Sequence, residues 1–207
     1  ELGHQMGMYH TFNSCNGNQS GNGQSELEPG SGTTIMSYAG ICTDPENLQA
    51  QADAMYNSGS FDFGWSYMAF GSGSVCAANT PTVNRAPSVN AGPDYTIPRL
   101  TPFTLTPASF SDPDPADILT FSWEQRDVGQ AIIPGNDNGT SPIVRVLPPS
   151  LSPSRTIPNW ETLRTNTALV GERLPAVPRA MKFRVTARDN HPGGGGTLHL
   201  HRRQPPF

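Results

Sequence analysis

Apolar and polar positions alternate every second residue through much of the C-terminal half of the chain. In "MKFRVTA", Met181, Phe183, Val185 and Ala187 alternate with Lys182, Arg184 and Thr186. In "LTFSW", Leu119, Phe121 and Trp123 alternate with Thr120 and Ser122. "DYTIP", "PFTLT" and "PIVRVLP" are further short runs bounded by Pro, Gly and Asp. A period of two, repeated between turn signals, predicts an antiparallel β-sandwich over residues 85–190. Upstream the pattern differs. Residues 1 to about 7 read as the end of a helix closed by Gly7. "SFDFGWSYMAF" predicts a second helix from about Ser60 to Phe70, with Ser60 as N-cap and Asp62 in the first turn. Its Phe61, Trp65 and Met68 recur at helical spacing, which points to core packing. Between the two, residues 11–34 are dense in Asn, Ser and Gly and read as a long surface loop. Residues 191–207 lose all pattern and read as a flexible tail.

Composition supports a division into two segments. Gly and Pro number 21 each, and charged residues make up only 14% of 207 residues, which favours loops and short strands over helical bundles. Residues 1–84 carry seven acids and no Lys or Arg, whereas residues 85–207 hold all 13 basic residues against ten acids. The expected boundary lies near residue 84. The scattered basic positions do not form the clustered face that nucleic-acid binding needs. No apolar run reaches the roughly 18 residues of a membrane span. Cys15, Cys42 and Cys76 match no zinc-ribbon spacing; either one disulfide with a leftover thiol, as in an exported protein, or three reduced thiols would fit. If a disulfide forms, Cys15 and Cys42 are its candidates because both flank the same loop.

The chain begins "ELGHQMGMYH". On a helix, positions four apart share a face. A histidine one residue before Glu1 would therefore aim at the same point as His4, with Glu1 on a neighbouring direction. Gly7 permits a reversal that returns the chain with His10. Three neutral imidazoles at about 2.0–2.1 Å leave a zinc ion one open position, the arrangement of a catalytic site. A carboxylate beside it can take a proton from an attacking water and pass it to a leaving amine.

From its second letter onward this stretch resembles the metzincin zinc signature HExxHxxGxxH. "TTIMSYAG" resembles the Met-turn of that clan, and "EPGSGTTIMSYAGIC" is similar to bacterial reprolysin-like secreted metallopeptidases. "NRAPSVNAGPDYTIPRLTPFTLTPASFSDPDPADILTFSWEQ" is similar to the immunoglobulin-like modules that often follow such catalytic domains. The resemblance implies an α+β C-terminal subdomain over residues 1–84, comprising zinc helix, long loop, Met-turn and C-terminal helix. An all-β immunoglobulin-like sandwich then follows over 85–190. It further implies Zn2+ as cofactor, His4 and His10 as metal ligands, Glu1 as general base and acid, and Met36 as the floor beneath the ligands. Tyr38 would lean toward the metal and stabilise the oxyanion, or simply pack with its hydroxyl bonded; Ala39, Gly40 and Ile41 would wall the substrate pocket. The implied substrate is a protein or peptide and the implied location extracellular.

With the first histidine of the signature absent, the chain is expected to be a fragment and a poor catalyst alone. The alternative is a non-catalytic extracellular binding or adhesion module carrying a degenerate metallopeptidase remnant; a zinc hydrolase acting on another substrate class fits the Met-turn less well. Asp112, Asp114 and Asp117 in "SDPDPADIL" read as a turn in preference to a calcium site. His191, His199 and His201 are assigned no role.

Overall fold

The computed structural model describes residues 1–76 and 80–204, without the side chains of 197–204. The elements in order are helix α1 (Leu2–Gln5), helix α2 (Ser58–Phe70), a 3-10 turn (Ser72–Val75), strands β1 (Ser88–Asn90), β2 (Phe103–Leu105), β3 (Ser109–Ser111), β4 (Thr120–Gln125) and β5 (Arg155–Ile157), helix α3 (Trp160–Thr165), and strands β6 (Met181–Arg188) and β7 (Thr197–Gln204). The fold is mixed α+β with three small antiparallel sheets, β1–β3, β2–β5 and β4–β6–β7. The stretch expected to be a pattern-free tail instead supplies β7, which pairs with β6 from Met181↔Gln204 to Arg188↔Thr197. No helix among the described residues is long and apolar enough to cross a membrane.

All three sheets contribute to one apolar core that includes Val89, Phe103, Leu105, Phe121, Trp123, Ile157, Phe183 and Val185. The alternation read from the sequence sets which face points there. Across the β4–β6 pair, Phe121 opposes Ala187 and Trp123 opposes Val185 on the core face. On the other face Ser122 opposes Thr186 and Glu124 opposes Arg184. That polar face is not solvated: Ser122, Glu124, Arg184 and Thr186 are buried. Helix α2 lies against it. The Glu124 carboxylate accepts from the Ser58 N–H at 2.7 Å, and Arg184 donates to the Ser58 carbonyl at 3.2 Å and to Asp62 at 2.8 Å. Arg126 meets the other oxygen of Asp62 at 2.7 Å. Burial, reinforced by Arg184, lowers the Arg126 guanidinium to about 10, against the pull of Asp62 and Glu124.

Helix α2 corrects three expectations. Its N-cap is Asn57, whose side chain accepts from Gly59 N–H at 2.7 Å, so Ser60 lies inside the helix and Asp62 beyond its first turn. Its core face is made by Ser58, Gly59, Ser60 and Gly64, not by the aromatics. Trp65 is 69% exposed, and with Phe61 and Met68 it lines an open apolar groove. Small residues occupy the buried face because the approach is close. A Cβ on Gly59 would sit 2.3 Å from Leu27 Cδ1, and one on Gly64 2.8 Å from Met8 Cε.

The loop over 11–34 is also different from its surface reading. Its ends, residues 11–15 and 25–34, are buried, and only 16–19 and 21–24 are exposed. Buried carboxylates make this possible by taking up backbone N–H groups that would otherwise need water. Glu26 accepts from Gly21, Asn22 and Gly23 at 3.1, 3.0 and 2.8 Å. A disulfide joins Cys15 to Cys42, and Cys76 is free and exposed.

Candidate metal centre

Helix α1 is a single turn, and His4 sits at its end. Gly7 then adopts φ +77°, and a Cβ there would lie 2.6 Å from Tyr67 Cβ, so the reversal requires glycine both sterically and conformationally. The return brings His10 back onto His4. Their Nε2 atoms are 3.1 Å apart, with the rings edge to face at 4.5 Å. Each ring is oriented from behind by a main-chain carbonyl. His4 Nδ1–H donates to Met8 O, and His10 Nδ1–H donates to Met36 O, both at 3.0 Å.

These bonds turn the Nε2 of each ring toward the other, and the two Nε2 atoms converge. With Nδ1 as the donor, Nε2 is the atom each ring would offer to a metal ion. Two nitrogens at about 2.0–2.1 Å from a tetrahedral zinc would be about 3.3–3.4 Å apart, close to the separation found. Burial, with help from His4 and the amino terminus and against the Met36 carbonyl, lowers the His10 pKa from its ordinary 6.5. That keeps the ring in the neutral form a metal needs. The donor set therefore fits a metal ion through two ligands. No third His, Cys, Asp or Glu completes the group among the described residues.

The remaining predicted site residues fall as follows. Met36 is 2% exposed and its sulfur lies under Gly3, where a Cβ would come within 2.4 Å. Its carbonyl also accepts from Thr11 N–H at 3.0 Å, so one atom orients the His10 ring and the segment that carries it. Tyr38 stacks on Phe12 at 4.3 Å and turns its edge to His10 at 4.5 Å. Ala39, Gly40 and Ile41 continue from Tyr38 in a turn closed by Ile41 N–H to Tyr38 O at 3.0 Å; Gly40 has φ +81° and Ile41 is 65% exposed. Glu1 is exposed at the N-cap of α1, and its carboxylate has no hydrogen bond or ion pair among the described residues.

Several residues that organise the site carry no motif. Glu28, fully buried, accepts from Thr11 Oγ1 at 2.5 Å, from Thr34 Oγ1, and from the N–H groups of Thr33 and Thr34 at 2.7 and 3.2 Å. It ties the segment returning through His10 to the Met36 turn. Burial raises its pKa against the hydroxyls of Thr11 and Thr34. Ser25 donates to the His10 carbonyl at 2.6 Å. The sequence signal, if any, was the "TT" before Ile35, whose hydroxyls and amides need an acceptor.

The acidic stretch divides its roles. Asp112 accepts from Asp114 N–H at 2.8 Å, as a turn requires, and Asp114 pairs with Arg85 at 2.7 Å. Asp117 pairs instead with His191, at 2.8 Å. Asp112, Asp117 and Asp189, not Asp114, have oxygens within 4.8 Å of one another.

Residues 1–63 match the model of a family described as metallo-peptidase family M12B, reprolysin-like. This part of the chain is metallopeptidase-like. No curated protein and no solved structure matches the chain.

Proposed function

We propose that residues 1–84 carry the ligand-bearing part of a zinc-dependent endopeptidase site and that residues 85–190 form an immunoglobulin-like sandwich beside it. The observation that carries this reading is the His4–His10 pair, with both Nε2 atoms turned to one point and both Nδ1 atoms held by carbonyls. The family match over residues 1–63 supports it at the level of a metallopeptidase. Zinc, when bound, polarises the scissile carbonyl and acidifies the attacking water.

The chain's own residues supply the rest. His4 and His10 hold the ion, with a histidine directly before Glu1 as the expected third ligand. The Glu1 carboxylate takes the proton of the attacking water and returns it to the departing amine, so peptide bond cleavage consumes one water and leaves one carboxylate and one amine. Tyr38, whose ring packs against Phe12 and His10, donates to the developing oxyanion in this reading. Ala39, Gly40 and Ile41 border the substrate, which is an extended protein or peptide in an extracellular setting.

The test is addition of a single histidine before Glu1, with zinc loading and a quenched fluorescent peptide. The expected result is zinc affinity at least tenfold above that of the unextended chain, and chelator-sensitive cleavage that Glu1→Gln abolishes. Equal zinc affinity with and without the added histidine overturns the three-histidine reading.

A further inference from the structure

We propose that Asn13 is a positioning residue for His10, and that through it the 129–132 loop of the C-terminal half forms a fixed backing for the metal centre. The inference rests on the assignment of His10 as a ligand and concerns what holds that ligand in place. Asn13 lies three residues beyond His10 and is fully buried. Its side-chain amide donates to Gly129 O at 3.1 Å and to Gln130 O at 3.3 Å. The amide oxygen accepts from Ile132 N–H at 3.2 Å. One side chain thus does what a paired strand would do, using both donors and the acceptor against one backbone segment.

The loop it grips is itself anchored. Ser141 Oγ donates to Gln130 O at 2.6 Å, Gly129 packs so tightly on Ser141 that a Cβ would lie 2.6 Å from its Oγ, and Ile132 packs against the core shared by the sheets. A second grip reaches the other side of the centre. Thr33 Oγ1 donates to Val146 O at 3.2 Å, and Thr33 leads directly into the Met36 turn. The two grips therefore bracket the bond from His10 Nδ1 to Met36 O, one acting on the segment that follows His10 and one on the Met36 turn. Thr11 N–H to Met36 O and Asn13 N–H to Glu28 O, at 3.0 and 2.8 Å, connect the bracketed pieces. Without the Asn13 grip the returning segment keeps its local backbone bonds but loses its fixed distance from the loop, and His10 loses its aim.

The experiment uses the full 207-residue chain, 15N-labelled, in wild-type form and as Asn13→Ala, Asn13→Asp and Leu105→Ala. Leu105→Ala destabilises the sheet core without touching the grip. Two quantities are read: proton exchange at His10 Nδ1 in the metal-free chain by imidazole 1H–15N correlation, and affinity for Zn2+ by calorimetry. The expected result is at least tenfold faster exchange and at least tenfold weaker zinc binding in both Asn13 variants, with neither change in Leu105→Ala. Asn13→Asp keeps the acceptor for Ile132 and loses both donors, so it reads the grip even if Asn13→Ala does not fold. Wild-type exchange and affinity in the Asn13 variants, or equal losses in Leu105→Ala, overturn the proposal. Absence of zinc binding by the wild type overturns the ligand assignment instead, while the exchange measurement still decides whether Asn13 holds His10.

Discussion

Glu28 shows what a single buried carboxylate does for a loop that has neither helix nor sheet to satisfy its backbone. Its two oxygens accept from Thr11, Thr33 and Thr34, and these bonds keep the Met36 turn against the segment that follows His10. Glu28→Ala leaves those donors buried without partners and should destabilise the protein by about 3 kcal/mol, read from the urea midpoint. Gly7 is the second residue on which the site turns. Gly7→Ala must hold φ +77° against Tyr67 and should cost about 1–3 kcal/mol in the same measurement, with zinc affinity falling alongside. The legibility of these residues differs for a physical reason. His4, His10 and Gly7 stand at spacings that a helix and a reversal impose, so pattern anticipates that the two rings meet across a glycine turn. Glu28, Asn13 and Ser25 act on backbone groups that come near only after the loop has closed, and no local spacing encodes that.

At the scale of elements, helix α2 is the clearest departure from pattern reading. Phe61, Trp65 and Met68 share a helical face, and apolar periodicity normally marks the buried side. Here close approach governs instead, and the buried face is Ser58, Gly59, Ser60 and Gly64. Trp65→Ala should therefore shift stability by less than about 0.5 kcal/mol, as at a surface site. A core tryptophan would lose about 3–5 kcal/mol, so thermal unfolding separates the two readings. The strands were more legible: alternation in "LTFSW" and "MKFRVTA" assigned the core faces of β4 and β6 correctly. It missed the burial of their polar faces, because a period of two says which residues face away from the core but not what covers them. A staple in the same half carries a pH signature. Asp137 accepts from Ala176 N–H and pairs with Arg179, each at 2.8 Å. Burial opposes its charge, but the N–H groups of Gly139 and Ala176 and the Arg179 guanidinium outweigh it and hold its pKa below the ordinary 3.8. A carboxyl depressed on folding stabilises the fold above its unfolded pKa, and that contribution fades as pH falls through the lower folded value. Stability followed by fluorescence on acidification below 3.8 should fall more steeply in the wild type than in Asp137→Asn.

At the scale of the whole molecule, the change in composition near residue 84 is not matched by a gap between the segments. Acid-only residues 1–84 meet the basic half through Asp62 with Arg126 and Arg184, and through the Ser58 N–H on Glu124. The charge asymmetry visible in the sequence thus becomes a paired, partly buried interface between the two segments. Glu124, fully buried, accepts the Ser58 N–H across it. Glu124→Ala leaves that buried N–H without its acceptor and removes a carboxylate whose charge acts on Arg126 and Arg188, and should cost about 1–3 kcal/mol. The wild type should unfold in one transition by tryptophan fluorescence and far-UV circular dichroism alike, and Glu124→Ala should separate the two.

The central claim is that His4 and His10 are metal ligands, and X-ray absorption at the zinc edge tests it most directly. The zinc-loaded chain should show two imidazole nitrogens at about 2.0–2.1 Å, falling to one in either His4→Ala or His10→Ala. An imidazole count unchanged by both substitutions would contradict the account.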